Sequence, residues 1–430
     1  MSEQLSLNMP VDGVGAGIIP DGLPDGWRIV RLDAVCDVNP SRKGHTNYAD
    51  ELPVTFVPMA AVNETSGTIV APEIKPFSAV KKGYTWFIEN DVLFAKITPC
   101  MQNGKAAIAR NLSNGVGFGS TEFHVLRPGP DVLPAWVHLF IRQPSFRHAA
   151  ARHFTGTVGQ QRVPESFLAT HILPLPPLAE QHRIVARVEE LAARIEQARG
   201  LRRQATEEVS VAVERAKALV LDQLEYPELP LGSLLRGNSQ NGLSARPSDV
   251  PPGVQILRIS AGTARRDAIV DESEYKYLQV GEGDTAKYRV QPGDLLACRF
   301  NGNLHFVGRF SFYQGYSGES QIYPDKLIRF RIDESKAQPK FVNYVMNSPK
   351  RRTIVESFCA TTAGNIGISA GNLKMIRIPV PPVAEQKRIV FFLDAVQKRA
   401  KMLRQRQDSL AAELGILFPT ILERAFRGEL

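Results

Sequence analysis

Few residue patterns in this chain combine the side-chain types and the spacing that catalysis or metal binding requires. Pro324-Asp325, followed by Glu334-Ser335-Lys336, supplies the carboxylates and the lysine of a metal-dependent nuclease. Only eight residues separate the two parts, and the first half of the chain has no counterpart, so a strand and a turn explain them better. His148 and His153 approach metal-ligand spacing, but no cysteine pair accompanies them. We therefore expect two surface histidines on a short helix and no metal site.

Two further fragments have part of a cofactor- or base-binding motif. Gly13, Gly15 and Gly17 have the spacing of a dinucleotide- or methyl-donor-binding loop, but they follow no strand and open no helix. Residues 39–42, Asn-Pro-Ser-Arg, lack the second proline and the aromatic residue of the Asn-Pro-Pro-aromatic motif of amino-methyltransferases. A GxxxxGK[ST] phosphate-binding loop is absent from the sequence. We expect that the chain is not catalytic and binds no cofactor of its own.

Basic and amide side chains do cluster in predicted loops. Arginine and lysine suit guanine edges and phosphates, whereas asparagine and glutamine suit adenine edges in a major groove. The alternative is that these polar turn residues only face water, or, in residues 160–162, only order the loop before a helix. The candidate DNA-binding residues are Lys96, Gln102, Asn103, Lys105, Gln160, Gln161 and Arg162 in the first half, and Arg299, Asn301, Asn303 and Arg309 in the second.

The candidate loops occur in both halves because the chain contains an internal repeat. Residues 173–185, LPLPPLAEQHRIV, return at 378–390 as IPVPPVAEQKRIV, with nine of the thirteen positions identical and a constant offset of 205. A period of half the chain indicates a duplicated unit and not a solenoid. A strand and a turn are predicted at 27–38, strands at 52–57, 91–96 and 122–126, and helices at 135–141 and 146–153. Strands at 254–258, 293–299 and 325–330 and a helix at 341–346 repeat this order.

A long helical pattern follows each copy of the repeated segment. Apolar residues recur with a period of 3.5, which is typical of a coiled-coil seam. The first seam comprises Ile184, Val188, Leu191, Ile195 and Ala198, is broken at Arg202, and resumes at Ala205, Val209, Ala212, Ala216 and Leu219. The second comprises Ile389, Leu393, Val396, Ala400 and Leu403, is broken at Gln407, and resumes at Leu410, Leu414, Leu417 and Ile421. We expect an antiparallel pair of helices, each about 50 Å long, with Arg202 facing Gln407.

Composition places few further limits on the chain. Its 430 residues are 43% hydrophobic with a net charge of +8, as in an ordinary globular protein with two or three domains and a mildly basic surface. The four scattered cysteines are expected to be reduced thiols. The sequence has no apolar run long enough for a membrane span and no signal-peptide order at its N-terminus. We expect a soluble, cytoplasmic protein.

With the repeat in view, the chain resembles the specificity subunits of type I restriction–modification systems. The resemblance is carried by the two repeated segments at 173–185 and 378–390, the closing residues 421–430 and the strands at 91–94 and 325–330. It extends over nearly the whole chain from about residue 23. It implies an α/β (α+β) fold with two repeated target-recognition domains, joined by two long helices that form an antiparallel coiled coil. The implied division is a flexible N-terminal tail at 1–22, target-recognition domains at 23–177 and 226–382, a central long helix at 178–225 and a C-terminal long helix at 383–430.

The same resemblance implies a non-catalytic DNA-reading adaptor. Each recognition domain would read one half of a bipartite site in double-stranded DNA, and the helices would set the spacer and dock two methyltransferase subunits. Restriction and translocation subunits would join that core, and S-adenosylmethionine, ATP and Mg²⁺ would be bound by the partners. Two alternatives remain at this point: a coiled-coil scaffold without sequence-specific DNA binding, and a nuclease–methyltransferase fused in one chain, which the missing motifs disfavour.

Overall fold

A computed structural model of the chain describes residues 23–43, 47–157, 160–279, 285–362 and 365–430. The chain divides into two compact units: the first unit contains the residues up to Leu201 together with Leu410–Leu430, and the second unit contains Arg202–Ser409. The tail predicted at 1–22, with Gly13, Gly15 and Gly17, lies outside the described residues. No helix among the described residues is long and apolar enough to cross a membrane.

The first unit is built from short strands, five short helices and parts of two long helices. Its strands are β1 (Arg28–Arg31), β2 (Cys36–Val38), β3 (Pro53–Val57), β4 (Val62–Asn63), β5 (Thr68–Ile69), β6 (Glu73–Pro76), β7 (Thr85–Ile88), β8 (Val92–Ala95), β9 (Ala106–Ile108), β10 (Val116–Gly119), β11 (Phe123–Pro128) and β12 (Ile172–Leu175). Its short helices are α1 (Leu32–Val35), α2 (Phe77–Val80), α3 (Pro134–Ile141), α4 (Pro144–Arg152) and α5 (Glu165–Thr170), and the long helix α6 (Leu178–Leu221) begins here.

Two four-stranded sheets form the body of the first unit. One has the order β2-β11-β8-β9 and is antiparallel, and the other has the order β6-β3-β10-β7 with a parallel β3–β10 pair. All four residues of the central strand β8 are buried, as expected for a strand covered on both faces. Trp136 on α3 is fully buried against this sheet and the start of α6, in the main core of the unit.

The second unit repeats this plan. Its strands are β13 (Glu228–Pro230), β14 (Gln240–Asn241), β15 (Val254–Leu257), β16 (Tyr275–Leu278), β17 (Leu295–Cys298), β18 (Phe300–Asn301), β19 (Phe310–Phe312), β20 (Gln321–Ile322), β21 (Leu327–Phe330), β22 (Ala360–Thr362), β23 (Asn365–Gly367) and β24 (Arg377–Pro379). Its helices are α7 (Ile259–Thr263), α8 (Pro339–Met346), α9 (Pro349–Ser357), α10 (Ala370–Met375) and the start of the long helix α11 (Val383–Phe426).

The sheets of the second unit match those of the first in part. The order β14-β21-β17-β19 is the counterpart of β2-β11-β8-β9. The three-stranded sheet β16-β15-β20 retains the parallel pair, here β15 and β20, and has only the isolated bridge between Arg289 and Ile322 where the first unit has β7. Proline opens α3 and α4 in the first unit and α8 and α9 in the second, where its fixed φ and missing N–H fit the first helical turn. The predicted strands and short helices, and the repeat between them, are confirmed.

The two long helices contact each other within each unit. In the second unit the Arg202 Nη1 lies 3.3 Å from the Gln407 backbone oxygen, and the Arg404 Nη2 lies 3.4 Å from the Ser210 Oγ. In the first unit the Arg199 Nη2 donates to the Leu414 backbone oxygen over 3.2 Å. The partner residue number falls as the other rises, so the pairing is antiparallel, and the expected proximity of Arg202 and Gln407 is confirmed.

The buried stripe of the long helices differs in part from the predicted seam. Ile184, Val188, Ile195, Ile389, Leu393 and Ala400 are buried, while Leu191, Ala198, Val396, Arg202 and Gln407 are half-buried. Leu403 is 44% exposed, so its assignment to the seam is wrong: the stripe runs from Ala400 through Arg404 to Gln407, one residue further along the helix. After the break the stripe is displaced again, because Val213 and Lys217 are buried where Ala212 and Ala216 were predicted, and Leu219, Leu410 and Leu417 are exposed.

Candidate nucleic-acid interface

Lys96 and Arg299 occupy equivalent positions in the two units, directly after the central strands β8 and β17. The backbone N–H of Lys96 donates to the Glu122 oxygen over 2.9 Å, and that of Arg299 donates to the Lys326 oxygen over 2.7 Å. Their carbonyl oxygens accept from the N–H of Val163 (2.9 Å) and Ile368 (3.0 Å). The repeated sheet therefore presents one half-buried basic side chain at the same corner of each unit.

A buried ion pair fixes the base of each central strand. Asp91 is 1% exposed and accepts two hydrogen bonds from Arg127, at 2.8 and 2.7 Å. Asp294, also 1% exposed, accepts two from Arg331, both at 2.7 Å. Bidentate pairs of this kind add geometric specificity as well as energy. The sequence analysis placed both aspartates in predicted strands but did not predict their ion pairs, although each aspartate stands five positions before Lys96 or Arg299, a spacing that the repeat reveals.

The loop that carries Gln160, Gln161 and Arg162 is tied to the strand beside it. Arg162 forms bridges with Ile97 and with residue 155 of its own loop. Its guanidinium donates to both carboxylate oxygens of Glu122, at 2.9 and 2.7 Å, and these hydrogen bonds lower the pKa of Glu122. The Arg162 charge is thus matched by a carboxylate, and the neighbouring Gln160 amide is exposed.

A tight turn between β8 and β9 holds three more candidates. Gln102 and Asn103 are exposed, and the Gln102 backbone oxygen accepts a 2.7 Å hydrogen bond from the Arg147 Nη1. The Lys105 Nζ points inward and donates to the backbone oxygens of Met59 (3.1 Å) and Val62 (2.9 Å). Within this turn the side-chain amides of Gln102 and Asn103 are available to a ligand, whereas the Lys105 ammonium is engaged in hydrogen bonds to the protein backbone.

The second unit divides its candidates in the same way. The Arg299 guanidinium lies 4.6 Å from the centre of the Phe300 ring, and Asn301 and Asn303 use their Oδ1 atoms to accept from the next turn's N–H groups. Arg309 donates to the backbone oxygens of Thr263 (3.1 Å) and Arg265, and its burial lowers the pKa of its guanidinium. Arg299 and the Nδ2 group of the exposed Asn303 remain as donors for base edges or phosphates, whereas the half-buried Asn301 side chain also hydrogen-bonds to Cys298.

The partial methyltransferase motif has a structural role. Asn39 has a positive φ of 51°, and its Oδ1 accepts from the Val125 N–H over 3.0 Å. Its Nδ2 donates to the Glu165 Oε2 over 2.7 Å and lies 3.0 Å from the His124 Nδ1. All polar atoms of the asparagine side chain are therefore engaged inside the first unit.

The remaining motif fragments are also accounted for by local structure. His148 and His153 are exposed on and just after α4, and the His153 Nδ1 lies 2.9 Å from the Ala149 backbone oxygen. The Lys336 Nζ donates to the Ser233 backbone oxygen over 3.1 Å, in the turn after β21. In the described part of the chain, no group of three or more histidine, cysteine, aspartate or glutamate side chains could hold a metal ion.

Comparison with known proteins gives one consistent result. The family model of the type I restriction modification DNA specificity domain matches residues 24–206 and 311–412. The chain is 27% identical to the type I restriction enzyme EcoKI specificity subunit of Escherichia coli (strain K12), over 95% of this chain and 90% of that protein. It is 39% identical to the Escherichia coli EcoAI specificity subunit over 179 residues, which cover 41% of this chain and 30% of that protein.

Two solved structures share the fold. A chain of a solved structure that describes complex assembly and conformational transition of the type I R-M system superposes with a TM-score of 0.75 at 24% identity. The superposition covers 96% of this chain and 100% of that chain. The HsdS subunit from Thermoanaerobacter tengcongensis superposes with a TM-score of 0.62 at 23% identity, covering 96% and 99%. The two repeated recognition domains and the long helices are therefore an architecture that other chains also adopt.

Proposed function

The chain belongs to the type I restriction–modification DNA specificity family, and on that premise we propose that each of its two recognition domains reads one half of a bipartite DNA site. The observation that carries the proposal is the repeated corner occupied by Lys96 and Arg299. The sheets that contain β8 and β17 have matching strand orders, while the polar side chains beside them differ: the exposed Gln102 and Asn103 in one unit, the half-buried Asn301 and the exposed Asn303 in the other. A common scaffold with different donors and acceptors is what two different half-sites require.

The long helices serve the second part of the proposed role. Each spans 44 residues, which at about 1.5 Å per residue gives about 66 Å of helix, longer than the predicted length of about 50 Å. With the two recognition domains held by these helices, the distance between the half-sites, and hence the unread spacer, is fixed by helix length. The helices also dock two methyltransferase subunits, to which the restriction and translocation subunits then add.

The chemistry of the complex lies with these partners. S-adenosylmethionine is bound by the methyltransferase subunits, and ATP and Mg²⁺ by the translocating nuclease subunits. This chain acts in double-stranded DNA recognition and assembly and is itself non-catalytic, in the cytoplasm. Support for this part comes from Asn39 of the partial methyltransferase motif and Lys336 of the nuclease-like fragment, whose polar side-chain atoms make internal contacts.

The proposal is tested by co-expressing the chain with its methyltransferase subunit and sequencing the methylated host DNA at the single-molecule level. A bipartite motif modified in both half-sites is the expected result. Exchanging residues 23–172 for another recognition domain should then change one half-site and leave the other half-site and the spacer as they were. A complex that forms but leaves no bipartite mark would reject the recognition role and favour the coiled-coil scaffold.

A further inference from the structure

The second unit contains a cavity with an unusual concentration of positive charge. It measures about 510 Å³ and lies where the long helices meet α9 and the segment before β19. Among its lining residues are five cations, Lys217, Arg266, Arg309, Arg352 and Arg404, and a single carboxylate, Glu214. We call it the arginine cavity. His305 also faces it, and every lining residue belongs to the second unit.

Three of the five cations are held by partners of the protein itself. The Lys217 Nζ donates to the Glu214 Oε1 over 2.8 Å, and the Arg352 Nη2 lies 3.2 Å from the Glu356 Oε1. Arg309 is bound only through backbone oxygens, and burial together with the charge of Arg352 lowers the pKa of its guanidinium. Arg309 therefore lies in a partly desolvated part of the cavity, close to the charge of Arg352.

The other two cations converge on one neutral hydroxyl group. The Arg266 Nη1 lies 3.3 Å and the Arg404 Nη2 lies 3.4 Å from the Ser210 Oγ. Within the described residues neither guanidinium has a carboxylate oxygen within 4.0 Å, and the buried Arg404 Nε makes no hydrogen bond there. Neighbouring carboxylates are engaged elsewhere, since Asp267 pairs with Arg265 and Asp394 with Lys340.

The first unit shares this concentration of charge only in part. Arg147 and Arg199 of the first unit stand 205 positions before Arg352 and Arg404, and they line a cavity at the same place. There Arg199 pairs with Glu196. The counterparts of the other helix residues are apolar or small: Gly415 for Ser210, Phe418 for Val213, Pro419 for Glu214 and Leu422 for Lys217. The two cavities thus occupy the same position, but that of the first unit is lined by three arginines together with two glutamates, Glu64 and Glu196.

We propose that the arginine cavity binds a phosphate group, with Arg266 and Arg404 as its principal donors. Guanidinium groups donate paired hydrogen bonds to phosphate oxygens, and an oxyanion would remove the repulsion between cations that no carboxylate matches. The phosphate group comes either from the DNA backbone or from a free nucleotide or polyphosphate. The first source rests on the proposed function of the chain, and the second is independent of it.

The first experiment uses the full chain and inorganic pyrophosphate as the probe. Melting temperatures are measured against pyrophosphate concentration, with sodium chloride at matched ionic strength as the reference. The variants are R266Q and R404Q, and R199Q is the matched control because Arg199 is the counterpart of Arg404 in the first unit. If the phosphate source is free, wild type and R199Q are stabilised, and R266Q and R404Q need about tenfold or more pyrophosphate for the same shift. Arg266 is exposed, so R266Q tests the site without disturbing the helix pair.

The second experiment uses duplex DNA containing the methylated motif, with affinity measured over a salt series. If the phosphate source is the DNA backbone, R266Q and R404Q each reduce the slope of log K against log salt by about one, while R199Q does not. The proposal is overturned if pyrophosphate stabilises no better than matched chloride and the variants bind DNA with the wild-type slope. The methylation pattern produced with R266Q distinguishes failure of the cavity proposal from failure of the proposed function. If R266Q yields the same bipartite motif as wild type and pyrophosphate has no effect, the cavity proposal is rejected and the recognition function stands.

Discussion

At the scale of single residues, His138 is a titratable side chain buried in the interior of the first unit. It lies on α3, where burial is the main cause that lowers the pKa of its imidazole to about 3, with the charge of Arg142 acting in the same direction. Its Nε2 lies 3.3 Å from the Ala106 backbone oxygen. At the equivalent position of the second unit stands Asn343, whose Nδ2 donates to the Ala268 oxygen over 3.0 Å. A neutral amide therefore fills the same place without titrating.

We expect the substitution His138→Asn to flatten the pH dependence of stability. The folded-state pKa lies below the unfolded value of about 6.5, so between these values the unfolded state binds more protons and stability falls as the pH falls. From pH 7 to pH 5 the free energy of unfolding should drop by roughly 2 kcal/mol because of this histidine. Urea unfolding of wild type and H138N at pH 7, 6 and 5 measures the difference.

The control is the exposed His148 on α4, since H148N should keep the wild-type profile. His171 adds to the wild-type slope in the same direction, because burial lowers the pKa of its imidazole to about 4, and this contribution remains in both variants. An H138N profile as steep as that of wild type would show that His138 is protonated in the folded state.

The sequence indicated the types of the loop residues but not their partners. Lys105 and Arg309 were predicted to contact DNA on side-chain type alone, yet their charged groups bind backbone oxygens more than forty positions away. No local pattern encodes such a contact, because it depends on which loops the tertiary fold brings together. For Arg162, the alternative that it orders its loop accounts for the observed pairing with Glu122.

At the scale of elements, one buried glutamine explains why the repeated segment is so similar in its two copies. Gln181, fully buried, accepts from the Leu133 N–H at the start of α3 over 2.8 Å, and its Nε2 donates to the Pro176 oxygen over 2.9 Å. Gln386 makes the same two contacts, with the Gln338 N–H and the Pro381 oxygen, both at 2.8 Å. In each unit the glutamine thus links the prolines before the long helix, the first turn of that helix, and the start of an earlier short helix, α3 or α8.

Replacing Gln181 by alanine should destabilise the first unit by about 2–3 kcal/mol, because a buried N–H and buried carbonyl oxygens lose their partners. Q386A should have an effect of similar size on the second unit. The matched control is Gln204→Ala, which changes an exposed glutamine on α6 and should alter stability by no more than about 0.5 kcal/mol. Urea unfolding gives the magnitudes, and equal stability of Q181A and Q204A would contradict the assigned role.

The start of each long helix could be predicted, but the course of its buried stripe could not. The prolines before Leu178 and Val383 end the preceding strand and permit a helix directly afterwards, and α6 and α11 begin at those residues. Beyond Arg202 and Gln407 the predicted seam follows the buried face only in part, since Leu414 is buried while Leu219, Leu410 and Leu417 are exposed. The buried Lys217 occupies that face through a hydrogen bond to Glu214, and such a polar solution cannot be read from apolar periodicity.

At the scale of the whole molecule, the C-terminal segment belongs to the unit that the N-terminal half begins. Leu410–Leu430 is part of the first unit, where the Phe426 ring lies 4.3 Å from the Trp136 ring and 5.3 Å from the Phe140 ring, between centroids. Leu221, 205 positions earlier, is buried in the core of the second unit. The repeat predicted the helix pairing. The domain boundaries at 177/178 and 382/383 stay a prediction, and they did not anticipate that each long helix begins in one unit and ends in the other.

The substitution Phe426→Ala should therefore weaken the first unit, which lies mainly in the N-terminal half of the sequence. Phe426 is 4% exposed and packs against the aromatic core, so truncation leaves a cavity that costs about 3–5 kcal/mol. Hydrogen exchange followed by mass spectrometry should show faster exchange in β1, β12 and α3, with α8 and β17 of the second unit unchanged. Ile416→Ala, on the same helix but 65% exposed, should leave both units as in wild type. Packing of Phe426 on Trp136 and Phe140 should confine the faster exchange to the first unit. Faster exchange only in residues 383–409, or equally in both units, would therefore show that the C-terminal helix is not part of the first unit's core.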